Sequence, residues 1–91
     1  TDDLYGGTYR MFTKIFEPFG IKFHFIDMHN IDAVKAAINE NTRMLWIETP
    51  TNPMMKIIDI RLYTDLAASK NLISVVDNTF ASPYLQNPLD L

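Results

Sequence analysis

The chain has 91 residues, enough for at most one small domain, and its eight basic and eleven acidic side chains give a net charge of −3. No run or stripe of basic residues is present, so we expect no nucleic-acid partner. The chain has no cysteine, which excludes disulfide bonds and thiolate metal sites. No apolar run approaches the ~20 residues that cross a bilayer, so we expect no membrane partner and a cytoplasmic protein.

The beginning of the chain predicts a loop followed by a helix. Two consecutive glycines within residues 3–7 indicate the loop, and Thr8 is placed to cap the helix that follows. Gly20 fits the end of this helix, because glycine readily adopts the left-handed backbone found there. Apolar residues recur at i, i+3, i+4 and i+7 and predict one buried face: Phe12, Ile15, Phe16 and Phe19.

The remainder of the chain predicts three strands and two further helices. Residues 21–27 are β-branched and aromatic and predict the first strand, and the short apolar runs at 43–48 and 72–76 predict the other two. Residues 78–88 are rich in turn-forming side chains and predict a loop. The two helices begin at capping residues and carry these apolar faces: Asn30 before Ile31, Val34 and Ile38, and Asp59 before Leu62, Leu66 and Ala67.

The order of these elements is loop-α-β-α-β-α-β. Apolar strands that alternate with helices predict an α/β fold, a mostly parallel sheet with helices on both faces. In open sheets of this kind, ligands bind outside the carboxyl ends of the strands. Polar side chains at those ends are therefore candidates for a ligand site.

Two acidic residues directly follow apolar strand residues, Glu48 after the 44–47 run and Asp77 after the 73–76 run. A carboxylate in that position is poorly solvated and needs a partner, because an unpaired buried charge is costly. Each acid either awaits a cationic or N–H-bearing ligand, or caps the following loop by accepting hydrogen bonds from backbone amides. Position alone does not separate these two interpretations.

Two loops carry further candidates. Residues 49–53 contain two prolines that restrict the chain around Asn52, which makes either a rigid mount for a polar side chain or a plain turn. Tyr5 precedes two glycines and a helix, so its ring either stacks on a planar ligand or packs against the loop. No dinucleotide or nucleotide-triphosphate motif is present. His24 and His29 lack partners at metal-ligand spacing and are interpreted as structural, so we expect no metal site.

Three motifs in series now carry a resemblance to a known family. They are Asp-x-Tyr-Gly-Gly-Thr at 3–8, Trp-Ile-Glu-Thr-Pro-Thr-Asn-Pro at 46–53 and Val-Val-Asp-Asn-Thr-Phe at 75–80, with a similar continuation at 82–89. Together they resemble the Cys/Met-metabolism enzymes that depend on pyridoxal 5′-phosphate (PLP). The resemblance implies the aspartate-aminotransferase-like type I PLP fold. We expect residues 1–91 to be part of its large domain, without the catalytic lysine segment and the C-terminal domain.

The resemblance also implies roles for individual residues. Asp77 matches the aspartate that pairs with the pyridine nitrogen of the cofactor, and Thr79 is a cofactor-binding candidate beside it. Tyr5 matches the tyrosine that stacks on the ring and assists proton transfer, which makes it the catalytic candidate. Asn52 matches the asparagine near the phenolic oxygen of the cofactor. Glu48 lies beside Asn52 and is a candidate for orienting neighbouring groups or contacting substrate.

Within the family, the motifs look most like those of cystathionine γ-lyases and γ-synthases. This implies a PLP-dependent carbon–sulfur lyase with a sulfur amino-acid substrate, and a homotetramer whose sites are shared between subunits. Cystathionine β-lyase, methionine γ-lyase and O-acetylhomoserine sulfhydrylase remain alternatives, although Gly7 stands where methionine γ-lyases often have cysteine. An alternative of another class is a non-catalytic α/β binding module, which would explain the missing lysine but not three motifs in register.

Overall fold

The computed structural model describes residues 1–91, which fold around two parallel strands joined by a helix. The helices and strands, in chain order, are α1 (Gly6–Arg10), α2 (Ile31–Ala37), β1 (Met44–Glu48), α3 (Ile60–Ser69), β2 (Ile73–Asp77) and α4 (Ser82–Leu85). A π-helix (Met11–Phe16) and a 3₁₀ turn (Glu17–Phe19) extend α1, and a second 3₁₀ turn covers Pro88–Asp90.

The two strands pair in parallel from Met44 opposite Ile73 to Glu48 opposite Asp77. The α3 helix makes the crossover between them, as parallel strands require. The predicted α/β class with a parallel sheet is therefore confirmed. The register brings the two strand-end acids to the same edge of the sheet.

Helices cover both faces of this small sheet. Alternate residues of a strand point to opposite faces, so Leu45 and Ile47 lie on one face and Trp46 lies on the other. The first face packs into a core with residues from α2, α3 and the connecting segments: Met28, Val34, Ile58, Tyr63 and Ala67. On the second face, the Phe12 ring meets Trp46 edge-on at 5.1 Å between ring centroids. Glu48 shares the second face, on the side where the α1 segment lies.

Two predicted helix caps are confirmed. The Asn30 side chain accepts a hydrogen bond from the Ala33 N–H at 3.0 Å, and Asp59 accepts one from Leu62 at 3.1 Å. Such bonds satisfy amides that have no partner within the first turn of a helix. Gly20 also ends the first helical segment as predicted, with a φ of 90° that other residues adopt only with strain.

The strand predicted at 21–27 is wrong. This segment forms no β-ladder, since β1 and β2 pair only with each other. Its aromatic residues instead pack against the first helical segment. Phe23 stacks on Phe12 at 4.5 Å between ring centroids, and Phe25 lies 5.1 Å from Tyr9.

The first helix differs from its prediction at its start and along its apolar face. It begins at Gly6, so Thr8 lies inside α1 and does not cap it. The predicted apolar face is broken: Phe12 is buried, whereas Phe19 is 81% exposed. The i→i+5 bonds of the π-helix widen the turn, so residues spaced for a 3.6-residue period no longer share one face.

Two predictions in the second half also need correction. The buried face of α3 comprises Ile60, Tyr63 and Ala67, whereas the predicted Leu62 is exposed. The Tyr63 hydroxyl donates a hydrogen bond to the Met28 carbonyl and so holds the segment before α2. Residues 78–88 are not simply a loop, because α4 forms within them with a proline in its first turn, where proline is well tolerated.

None of the helices combines the length and the apolar character that crossing a membrane requires.

Candidate active site

A pocket of about 210 Å³ opens at the edge of the sheet where β1 and β2 both end. This is the position that the strand-end rule predicts for a ligand site. The pocket contains all five residues singled out from the sequence and two that were missed, and its lining is Tyr5, Glu48, Pro50, Asn52, Asp77, Thr79 and Phe80.

Tyr5 reaches the pocket from the residue that precedes α1. Its ring is 54% exposed and lies over the backbone of Gly7. A Cβ atom at Gly7 would stand only 2.3 Å from Cε1 of this ring, which is far inside van der Waals contact. The absence of a side chain at position 7 therefore permits the observed pose of the tyrosine.

Glu48 is only 4% exposed, and its carboxylate accepts hydrogen bonds from backbone amides. The Tyr5 N–H donates to Oε1 at 3.1 Å and to Oε2 at 3.0 Å, and the Asn52 N–H donates to Oε1 at 2.9 Å. Burial raises the pKa of this carboxyl group, the two backbone donors oppose the shift, and the nearby Asp77 charge adds to it. Of the two interpretations left open by the sequence, the structure shows the amide-capping one.

The loop after Glu48 is held by buried threonine hydroxyls. Thr49 Oγ1 accepts from the Ile58 N–H and Thr51 Oγ1 accepts from the Lys56 N–H, both at 2.9 Å. These side chains are fully buried, so the loop is fixed from within. The side chain of Asn52 makes no hydrogen bond inside the chain and lines the pocket, as a rigid mount for a polar group would present it.

Asp77 carries an oxygen that is free for a ligand. Its Oδ1 accepts from Thr79 twice, from the backbone N–H at 3.1 Å and from Oγ1 at 2.6 Å. Its Oδ2 has no hydrogen-bond partner within the chain. Thr79 therefore fixes the orientation of the carboxylate and leaves one acceptor for a donor that enters the pocket.

Gln86 bonds to the loops that follow both strands, and it was not identified from its own pattern. Its Nε2 donates to the Thr49 carbonyl at 3.0 Å and to Asn78 Oδ1 at 2.8 Å, and Asn78 returns a bond to the Gln86 carbonyl. These bonds tie the segment after β2 to the loop after β1. The only signal for this residue in the sequence was its place in the family-like continuation at 82–89.

The two histidines lie outside this pocket. His24 is exposed, and His29 points its Nε2 toward the Ile57 carbonyl at 3.0 Å. His29 also lies beside Asp27, whose Oδ1 is 3.4 Å from its Nδ1. Neither ring contributes to the lining at the strand ends.

The donor and acceptor set of the pocket fits the ring of PLP. An exposed aromatic ring offers a stacking surface for a planar ligand. The free Asp77 oxygen offers an acceptor for the protonated pyridine nitrogen, and the Asn52 amide offers a hydrogen-bond partner for a ring oxygen. No phosphate-binding set lies among the lining residues of this chain.

The fold and the pocket define a parallel α/β cofactor-binding unit with its site at the strand ends. The sequence model of the family described as "Cys/Met metabolism PLP-dependent enzyme" matches residues 1–91, the whole length of the chain. The chain belongs to this family, and PLP is the cofactor on which the family depends.

Individual relatives agree with this assignment. The chain is 52% identical over 90 residues to cystathionine gamma-lyase of Dictyostelium discoideum, covering 99% of the chain and 23% of that protein. It is 51% identical over 90 residues to a probable cystathionine gamma-synthase of Herpetosiphon aurantiacus, covering 99% of the chain and 28% of that protein.

A solved structure shares the fold. The crystal structure of cystathionine gamma-lyase from Lactobacillus plantarum, complexed with L-serine, superposes with a TM-score of 0.95 at 46% identity. The superposition covers 98% of this chain and 23% of the crystallised one. The chain thus spans about a quarter of the length of the proteins it matches.

Proposed function

We propose that this chain is part of a PLP-dependent carbon–sulfur lyase of sulfur amino-acid metabolism, and that the activity is that of a cystathionine γ-lyase. In this proposal cystathionine and one water are converted to cysteine, 2-oxobutyrate and ammonia. The chain itself forms part of the large cofactor-binding domain.

One observation carries the proposal. Tyr5, Asn52 and Asp77 come from three separate parts of the sequence and meet in one pocket at the strand ends. Each of them matches a residue that the family motifs assign to the cofactor ring. A binding module without catalytic function has no need of this combination in register.

Each residue has a specific task in this proposal. PLP, when bound, supplies an electron sink for the carbanion that forms on the substrate. Asp77 keeps a proton on the pyridine nitrogen by its negative charge, and Thr79 holds the carboxylate in that orientation. Tyr5 supports the ring by stacking and exchanges a proton with the substrate, while Asn52 donates to the phenolic oxygen.

The assembly and location belong to the same proposal. A homotetramer in the cytoplasm, with sites shared between subunits, would supply the phosphate ligands that the pocket of this chain lacks. Several large apolar side chains are exposed on the chain and are available for burial by other parts of such an assembly: Phe19, Tyr84, Leu85 and Leu89.

The experiment is identification of the keto acid formed when the full-length gene product is incubated with PLP and cystathionine. The γ-lyase proposal predicts 2-oxobutyrate. Pyruvate would show cleavage at Cβ and favour a β-lyase instead. A visible absorption band on adding PLP, without formation of any keto acid, would show that the protein binds the cofactor but would reject the proposed lyase activity.

A γ-synthase is the second candidate, because the relative of that name is 51% identical to the chain, against 52% for the γ-lyase. Both reactions take place at Cγ: the lyase eliminates cysteine from cystathionine, whereas the synthase replaces the leaving group of an O-acylated homoserine with the thiol of cysteine. Formation of cystathionine from cysteine and an O-acylated homoserine, with release of the carboxylic acid and without 2-oxobutyrate, would identify the synthase. A gene product that binds no PLP at all would favour the non-catalytic binding module.

A further inference from the structure

The carboxylate of Glu48 connects two parts of the pocket that are distant in the sequence. Tyr5 lies 43 residues before it and Asn52 lies 4 residues after it, yet both donate their backbone N–H to the same buried group. The side chain thereby fixes the backbone of two residues whose side chains line the pocket. Sequence position gives no hint of this connection.

A carboxylate suits this place better than its neutral analogue. An ionised carboxylate only accepts hydrogen bonds, so both of its oxygens can meet the Tyr5 N–H. Bonds of an amide to a charged acceptor are also stronger than bonds to a neutral one. A glutamine would retain one oxygen but would turn its NH₂ group toward the Tyr5 N–H, so that two donors face each other.

Building on the proposed function, we infer that Glu48 is a positioning residue of the cofactor site, which acts on the cofactor through the backbones of Tyr5 and Asn52. The backbone amides of Tyr5 and Asn52 donate all the hydrogen bonds that its buried carboxylate accepts in the chain. Glu48 therefore affects the cofactor by fixing the positions of the Tyr5 ring and the Asn52 side chain.

Loss of the Glu48 charge leaves the same two segments attached by other bonds. Asp3 Oδ2 accepts from the Met54 N–H at 2.9 Å and from the Thr51 hydroxyl. The salt bridge from Lys56 to Asp2, at 3.0 Å, adds a second connection. A Glu48→Gln variant should therefore fold, with a local displacement of Tyr5.

The test uses the full-length gene product in three forms: unsubstituted, Glu48→Gln and Glu40→Gln. Glu40 is exposed before β1, at the opposite end of the strand, so this variant is the matched control. The apoenzyme is titrated with PLP to obtain the dissociation constant, and the visible circular dichroism of the bound cofactor is recorded. The melting temperature of each apoenzyme reports on the fold.

We expect Glu48→Gln to raise the dissociation constant for PLP about tenfold, by analogy with the loss of a group that orients a metal ligand. Its visible circular dichroism should change, while Glu40→Gln matches the unsubstituted enzyme in both. Equal dissociation constants and spectra for the two variants would overturn the inference alone. An unsubstituted enzyme that binds no PLP would overturn the proposed function, and the inference with it.

A second measurement needs no variant and tests the backbone hydrogen bonds on which the inference depends, even if Glu48→Gln does not fold. In the unsubstituted apoenzyme the backbone amides of Tyr5 and Asn52 should exchange their hydrogens slowly, because each is bonded to a buried carboxylate. Exchange as fast as that of the backbone amide of Lys22, an exposed residue whose N–H has no hydrogen-bond partner in the chain, would overturn the inference.

Discussion

Glu48 and Asp77 face each other across the strand register, yet their surroundings give them different tasks. Glu48 is buried, and backbone amides occupy both of its oxygens. Asp77 is partly exposed and bonds through one oxygen only, to Thr79. The two acids look alike in the sequence, but their hydrogen-bond partners differ. Glu48 therefore holds two parts of the site together, whereas Asp77 keeps one oxygen free for a ligand.

At the same scale, Gly7 controls the pose of Tyr5. In the full-length enzyme, Gly7→Ala should keep the fold, because the clashing atom is on a side chain that can rotate away. The displaced ring should weaken PLP binding roughly fivefold, since an aromatic contact contributes about 1 kcal/mol. Titration of the apoenzyme with PLP measures this effect.

The matched control for this change is Gly6→Ala. A Cβ there would lie 3.2 Å from Nη1 of Arg10, the mobile end of an exposed side chain. We expect no change in PLP affinity for this variant. An equal loss in both variants would show that the helix start, and not the tyrosine pose, is responsible.

The raised pKa of Glu48 predicts a pH dependence of stability. The folded state holds this proton to a higher pH than the unfolded chain, whose glutamate has a pKa near the ordinary 4.5. As pH rises from 4.5 through the folded-state pKa, the unfolded state loses its proton first, so ionisation favours unfolding and stability falls.

The measurement is the melting temperature of the unsubstituted enzyme and of Glu48→Gln across weakly acidic pH. Glutamine does not titrate, and the difference between the two cancels the other ionisable groups. We expect the unsubstituted enzyme to lose stability relative to the variant as pH rises. A difference that grows in the opposite direction would contradict the assigned shift.

At the scale of elements, the α3 crossover allows β1 and β2 to run parallel, so that their carboxyl ends lie at the edge of the sheet where the pocket forms. Asp59 caps this helix at its first turn. Replacing it with alanine in Asp59→Ala should lower the free energy of unfolding by about 1 kcal/mol, because a first-turn amide loses its partner. Denaturant titration of the full-length protein measures the change.

Asp65→Ala provides the control for the cap, because Asp65 is exposed on the same helix outside its first turn. It should change the free energy of unfolding by less than about 0.5 kcal/mol, as is usual for surface positions. If both variants lower the free energy of unfolding by the same amount, the loss of the capping bond is not the cause.

Elements with a local signal were predictable, and elements that depend on distant partners were not. The caps at Asn30 and Asp59 and the glycine end at Gly20 follow from side chains within a few residues. The segment 21–27 has strong β-propensity but lacks a neighbouring strand, and propensity without a pairing partner does not make a sheet. The π-helix after Arg10 was not predictable either, because the spacing of the apolar residues is that of a regular α-helix.

At the scale of the whole molecule, the position of the site was predictable because parallel strands place their carboxyl ends together. The sequence therefore pointed to Glu48 and Asp77 at the strand ends and to Tyr5 and Asn52 in two loops, and the family motifs then assigned a role to each residue. It did not show that Glu48 reaches back to Tyr5, because a bond across 43 residues exists only after the chain has folded. The contacts of these residues with the cofactor stay predictions.

The central claim is that the free oxygen of Asp77 meets the pyridine nitrogen of PLP. Asp77→Asn in the full-length enzyme should lower the rate of catalysis at least about a hundredfold, the usual cost of losing a charge-stabilising group. The fold should persist, because an asparagine oxygen can still accept the bonds from Thr79. Asp65→Asn, on the exposed face of α3, is the control.

The most direct measurement is the ¹⁵N chemical shift of the pyridine nitrogen in labelled PLP bound to the full-length enzyme and to its Asp77→Asn variant. We predict the shift of a protonated nitrogen in the unsubstituted enzyme and in Asp65→Asn, and the shift of an unprotonated nitrogen in Asp77→Asn. The same protonated shift in all three proteins would contradict the assignment of Asp77 as the partner of the cofactor ring.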